Sequence, residues 1–282
     1  MKETVNLHLA SLHRGPGRVA ENLIVGLQKK GIDVTACDEP RKGVYQGCLQ
    51  ATAAIKSVDG NTLMGPNLFV LPSEWGDYTK KFNHFVVPSL WVKNKYLEFD
   101  SMQHASIDVW PVGIATDIWN RKDPVSNKTA LIYFKNRQQH ELDAVKESLK
   151  SLGWNYNILT YGTYEEKDLF EACQVAQFCV ILTNTESQGI AYMQILSMNV
   201  PCLVFNKNTW NNEGRYKHVP ATSVPYFDHS CGLIKDAISN EDIEEFTRQY
   251  QNFSPRSFIV ENFNLEKQAQ EYMTLLRRYQ NV

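Results

Sequence analysis

The sequence predicts an α/β protein made of two doubly wound parallel-sheet domains of similar size facing a cleft, followed by a C-terminal helix. Three observations predict it. Short apolar runs recur along the chain and end in Pro or Gly, as buried parallel strands entering loops do. Helical patterns alternate with them. That rhythm breaks at a polar, aperiodic stretch, "TDIWNRKDPVSNKT" (residues 116–129), which reads as a linker, and then restarts. The expected division is 1–118, 119–263 and 264–282.

Each element follows in order. "TVNLHLA" is a first strand and "SLHRGPG" a loop. "RVAENLIVGLQKKG" carries Val19, Leu23 and Leu27 at helical spacing, with Gly31 as its stop. "IDVTACD" is a second strand. The runs "NLFVLP" (67–72), "HFVVPS" (84–89) and "SIDVWPVG" (106–113) are further strands, with a short helix in "LWVKNKYLEF". After the linker, strands "ALIYFK", "NYNILTYG", "FCVILT" and "PCLVFN" alternate with helices in "HELDAVKESLKSLG", "EEKDLFEACQVA" and "GIAYMQILSMN". "EDIEEFTRQYQNF" is helical, and "SPRSFIVENF" interrupts it. The closing helix has Leu265, Ala269, Tyr272, Leu276 and Tyr279 on one stripe, with Asn264 as its N-cap.

Composition narrows the function. Charges nearly cancel, with a formal net charge of −2 over 282 residues, so no global basic field points to nucleic acid or an anionic membrane. No apolar run approaches a membrane span, and the apolar stretch at the start is too short for a signal peptide. The six cysteines form no C-x-x-C pair, and several sit in apolar runs, which fits buried thiols in a reducing compartment. The expectation is a cytoplasmic protein.

Ligands in open parallel α/β sheets bind beyond the carboxyl ends of the strands, so the loops there hold the candidates. Gly15 and Gly17 allow close backbone approach before free helix amides, which suits phosphate or a sugar hydroxyl. The dinucleotide fingerprint is incomplete, because Ala20 takes its last position, although Asp38 ends the second strand where a ribose-binding acid would be. His13 stands beside the same loop. Lys135 and Arg137 leave the first strand of the second half, where two cations could neutralise a diphosphate. Tyr161, Gly162 and Tyr164 make a loop that could stack a nucleobase. Ser187, Gln188, Gly189 and Ile190 lie at a helix start with exposed amides, and Glu186 just before them is an acceptor for sugar hydroxyls or a capping carboxylate. Gln194 is a polar residue inside an apolar helix. The phosphate-loop, nucleophile-elbow and H-E-x-x-H patterns are missing, and the seven histidines lack ligand spacing.

"ESQGIAYMQILSMNVPCLVF" resembles the donor-site signature of retaining glycosyltransferases of the GT-B fold, the group-one or family-four type. Glu186 takes the first glutamate position, Gly189 the glycine and Pro201 the proline, while Gln194 stands where that signature has a second glutamate. "VPSLWVKNKY", "WPVGIATDIW", "ALIYFKNR" and the closing segment resemble other parts of the family. The resemblance implies two Rossmann-like domains, with the last helix returning to the first. It implies transfer of a sugar, with retention, from a nucleotide-diphosphate donor to a saccharide, lipid or protein acceptor. Neither a metal nor a cofactor is called for. Lys135 and Arg137 would stabilise the leaving diphosphate, Glu186 would take sugar hydroxyls, and the Gly189 amides would hold sugar and phosphate. The family's second glutamate accepts hydrogen bonds from the donor ribose. Gln194 could accept only through a neutral amide, with about half the strength of a charged acceptor. A non-catalytic nucleotide- or sugar-binding protein on the same scaffold is the alternative. A dinucleotide-dependent oxidoreductase is disfavoured by the broken glycine fingerprint.

Overall fold

The computed structural model describes residues 2–9, 14–36, 41–50, 58–121 and 127–282. His13, Cys37 and Asp38 lie outside them. In chain order the first elements are β1 (Thr4–His8), α1 (Arg14–Lys29), β2 (Asp33–Ala36), β3 (Tyr45–Gln50), β4 (Leu63–Asn67), β5 (His84–Val87), α2 (Leu90–Leu97) and β6 (Ser106–Val109). Then come β7 (Thr129–Lys135), α3 (Gln139–Ser151), β8 (Asn155–Thr160), α4 (Glu166–Val175), β9 (Phe178–Thr183), α5 (Ile190–Ser197) and β10 (Cys202–Phe205). A two-stranded hairpin, β11 (Thr209–Trp210) with β12 (Val219–Pro220), precedes β13 (Gly232–Lys235). Helices α6 (Asn240–Gln249), α7 (Pro255–Phe263) and α8 (Leu265–Tyr279) close the chain.

Two compact units result, Met1–Gly113 with Phe263–Val282, and Ile114–Asn262. The first holds a parallel sheet of order β2-β1-β3-β4-β5-β6, the second one of order β13-β10-β9-β7-β8. Both sheets are wound outward in two directions from their first strand, so the predicted doubly wound α/β class is the observed one. In the second unit, Phe178, Val180 and Leu182 of β9 alternate with Cys179, Ile181 and Thr183, and all six are buried. A strand covered on both faces needs such an unbroken apolar run. Five cysteines (48, 173, 179, 202 and 231) are buried free thiols.

Several expectations need correction. Arg14–Gly17, expected in a loop, form the first turn of α1. Pro16 suits that turn, because its fixed φ is helical and no intrahelical partner awaits an N–H there. The strand expected at 67–72 lies earlier, in β4. The run after it serves the core instead: Leu68 and Phe69 pack on it, and Phe69 meets Trp75 edge to face at 5.3 Å. "SPRSFIVENF" does not interrupt helical structure but forms α7, with Pro255 at its first position. The expected linker is folded over its described start. Trp119 is buried, and the Arg121 guanidinium donates to the carbonyls of Cys173 (3.1 Å), Ala176 and Asn199 (3.1 Å). Strands β3 and β13 were not anticipated. No described helix is long and apolar enough to cross a membrane.

Candidate active site

The order of the second sheet locates the site. From β7 the chain reaches β8 on one side and β9 on the other, so the winding reverses between β7 and β9. Helices leave such a point toward opposite faces, and the strand ends between them border a crevice where ligands bind. Lys135 and Thr183 are register partners at these ends, and the Asn184 amide donates to the Lys135 carbonyl at 3.0 Å.

Lys135 and Glu186 meet there. The Lys135 ammonium lies 2.8 Å from one Glu186 carboxylate oxygen and 3.0 Å from the other. It also sits 4.3 Å from the centre of the Tyr161 ring, a cation–π contact that fixes its direction. Glu186 is only 8% exposed. Its backbone N–H donates to the Thr222 carbonyl at 2.9 Å, which holds the segment after β9 against the loop before β13. Burial pushes its carboxyl above the usual range, and Lys135 opposes that shift. The Tyr164 hydroxyl donates to that of Tyr133 at 3.3 Å. Burial raises both phenols, and the Glu186 charge adds to the effect. Lys135, Glu186, Tyr161 and Tyr164 are therefore brought together on one wall.

Arg137 points elsewhere. Asn136 between it and Lys135 has a left-handed φ of 53°, which asparagine tolerates better than most residues. The Arg137 guanidinium grips Glu141 at 2.8 and 2.5 Å and donates to the carbonyls of Thr183 (3.1 Å) and Phe205 (2.6 Å). Arg137 holds the Glu141 carboxyl down at about 2, and Lys207 is a further cation 3.4 Å away. The arrangement ties the ends of β9 and β10 to the start of α3. Beyond it lies a cavity of about 380 Å³ lined by Arg137, His140, Glu141, Lys207 and Asp236, among others.

The turn into α5 requires its glycine. Gly189 caps the helix at φ 77°, and a Cβ there would fall 2.0 Å from the Tyr192 ring. That ring is anchored, because the Tyr192 hydroxyl accepts from the Tyr226 N–H at 2.9 Å. Ser187 is exposed, whereas Gln188 is buried with its amide 3.9 Å from the Met193 sulfur. Ile190 opens α5, and the amides of a helix's first turn have no partner within the helix. Gly162, at φ 87°, lies exposed in the loop with the two tyrosines. Gln194 is 4% exposed and donates its side-chain N–H to Glu166 of α4 at 2.8 Å. Glu166 was not among the sequence candidates, because it falls in the segment "EEKDLFEACQVA", which the sequence shows only as a helix. Gly15 and Gly17 belong to the other unit.

No family model matches this sequence, and no curated protein sequence does. Solved structures do. The structure of Anabaena HepE in complex with UDP and glucose matches over 98% of this chain and 100% of that one, with TM-score 0.61 and 9% identity. The chain has the GT-B fold. Two parallel sheets, each reversing its winding between its first and third strands, are what a GT-B chain requires. The apo form of the lipopolysaccharide outer core galactosyltransferase WaaB matches over 99% of both chains, with TM-score 0.57 and 8% identity. The fold also matches a UDP-N-acetylglucosamine 2-epimerase structure from Listeria monocytogenes over 98% and 96% of the two chains, with TM-score 0.51 and 10% identity. Against the accessory secretory protein structure from Streptococcus pneumoniae, this chain covers 83% of itself and only about half, 52%, of that chain, with TM-score 0.50 and 11% identity.

Proposed function

We propose that this chain is a glycosyltransferase that takes a sugar from a nucleoside-diphosphate donor held at the exits of β7 and β9. The observation that carries the reading is the Lys135–Glu186 pair at the point where the second sheet reverses its winding, walled by Tyr161 and Tyr164. Lys135 supplies positive charge for the leaving diphosphate, whose negative charge grows as the glycosidic bond breaks. Glu186, shielded from water, accepts from the donor sugar hydroxyls. The backbone amides of Ser187, Gly189 and Ile190 face phosphate or sugar, and the Tyr161–Tyr164 loop takes the base. Arg137 positions the strand exits from behind. No metal is called for in this scheme, and transfer with retention follows the resemblance of the Glu186–Pro201 segment. A reducing, cytoplasmic setting is part of this reading, and the buried free thiols support it. The amide at 194 favours one other reading, a module that binds the nucleotide sugar without turning it over.

The deciding experiment incubates the protein with UDP-, GDP- and ADP-sugars and a panel of saccharide and lipid acceptors, and measures product by mass spectrometry beside nucleotide binding by calorimetry. Transfer or slow donor hydrolysis is expected with at least one donor. Binding without any product would favour the binding module, and an absence of both would sink the donor site.

A further inference from the structure

The cavity beside the Arg137–Glu141 pair has a wall of its own. It opens beyond the carboxyl ends of β10 and β13 and at the start of α3, which bring Lys207, Asp236 and His140 to it. None of Lys135, Glu186, Tyr161 and Tyr164 is among its lining residues. Its floor is fixed. The Arg137 side chain is 3% exposed and donates to Glu141 and to the carbonyls of Thr183 and Phe205. Glu141 accepts from Arg137 and from the Gln138 N–H at 2.9 Å. The rim differs. Among the described residues, neither the Asp236 carboxylate nor the His140 imidazole meets a partner. The Lys207 ammonium has only Glu141, at a long 3.4 Å. The rest of the lining, Ala144, Ala237 and Ile238, is aliphatic.

This wall selects a class of ligand. Two cations, Arg137 and Lys207, face two anions, Glu141 and Asp236, so the charges offset one another. An anion drawn to Lys207 would also meet Glu141, and a cation drawn to Asp236 would share the cavity with Arg137 and Lys207. A neutral ligand rich in hydroxyls avoids both conflicts. A hydroxyl donates once and accepts twice, so it can donate to Asp236 and accept from Lys207 or His140. The aliphatic side chains suit the C–H face of a sugar ring. A volume of about 380 Å³ lies at the small end of the roughly 300–1,000 Å³ of ligand sites. We infer that this cavity binds a saccharide unit, with Asp236, Lys207 and His140 at its hydroxyls. The inference rests on the cavity alone and stands whether or not the exits of β7 and β9 hold a nucleotide sugar.

The test titrates free glucose, galactose, mannose, N-acetylglucosamine, maltose and lactose into the full chain and follows binding by ligand-observed NMR. At least one sugar should bind. Asp236→Ala and Lys207→Ala should each weaken it about tenfold, the scale of a hydrogen bond to a charged group. Both residues are exposed, so the variants should fold, and a thermal melt checks that. Glu186→Gln should leave the affinity for the free sugar unchanged, which separates this cavity from the donor site. If no sugar binds, or if both rim variants bind it as the native protein does, the assignment is overturned. Binding lost in Glu186→Gln but kept in the rim variants overturns it too, and moves the sugar to the donor site. Glycine or inorganic phosphate held by Asp236 or Lys207 in preference to every sugar overturns the class of ligand.

Discussion

Glu186 and Lys135 are 2.8 Å apart where water scarcely reaches the carboxylate. Burial alone would favour the neutral acid, and the lysine cation pulls the other way. Glutamine at 186 keeps an oxygen for Lys135 to donate to and removes the buried charge. Glu186→Gln should thus melt within a few degrees of the native protein while losing roughly 10²-fold or more of its transfer rate, the scale of a positioned catalytic group. A rate near the native one, on whichever donor proves active, would remove Glu186 from the chemistry. The sequence made Glu186 visible because a carboxylate stands between a strand and a glycine-started helix. It did not show that Lys135, fifty-one positions earlier, is the partner, since that pairing exists only once β7 and β9 are neighbours.

At the scale of elements, the strand exits are laced together by Arg137. Its contacts join β9 and β10, through the Thr183 and Phe205 carbonyls, to Glu141 on α3. The Glu141 carboxyl falls from an ordinary 4.5 to about 2 in the folded chain. A depressed acid stabilises the fold fully above its unfolded value and loses that contribution as pH falls toward the folded one. Stability should therefore drain away between about 4.5 and about 2, and Glu141→Gln should flatten that part of the profile. Urea midpoints of the two proteins across this range check it; parallel curves would show that other groups govern the acid response. Lys135 and Arg137 were legible as charges at a strand exit. Their direction was not, because the left-handed turn at Asn136 sends them to different neighbours.

At the scale of the whole molecule, the last helix completes the first unit. Leu265, Ala269, Tyr272, Met273 and Leu276 of α8 are buried, the Trp110 indole donates to the Gln268 carbonyl at 2.8 Å, and Gln280 exchanges hydrogen bonds of 2.7 Å with the Gln46 backbone. Each large apolar side chain so buried is worth about 1.5–3 kcal/mol. Several together rival the 5–15 kcal/mol that holds a typical domain folded. Ending the chain before Asn264 should therefore unfold the first unit. Hydrogen exchange should show β1 and β3 unprotected while β7 and β9 stay protected. Slow exchange throughout would mean that α8 only covers the sheet. Asn264 was legible as the N-cap, and its side chain accepts from the Lys267 N–H at 2.8 Å. Strand β3 was not: Gln46 and Gln50 interrupt its apolar pattern, and Gln46 is satisfied by partners as distant as Gln280.

The sequence by itself determined the alternation of strand and helix, the stop at Gly31, the N-cap at Asn264 and the glutamate–glycine junction before α5. These rest on local chemistry: periodicity, φ preference and capping act within a few residues of one another. Tertiary structure alone decided that Lys135 turns to Glu186, that Arg137 turns to Glu141, and that Gln194 reaches a carboxylate on another helix. Those choices depend on which strand lies beside which. A charged or amide side chain takes the nearest partner that offsets its loss of water, and only the folded sheet sets what is near.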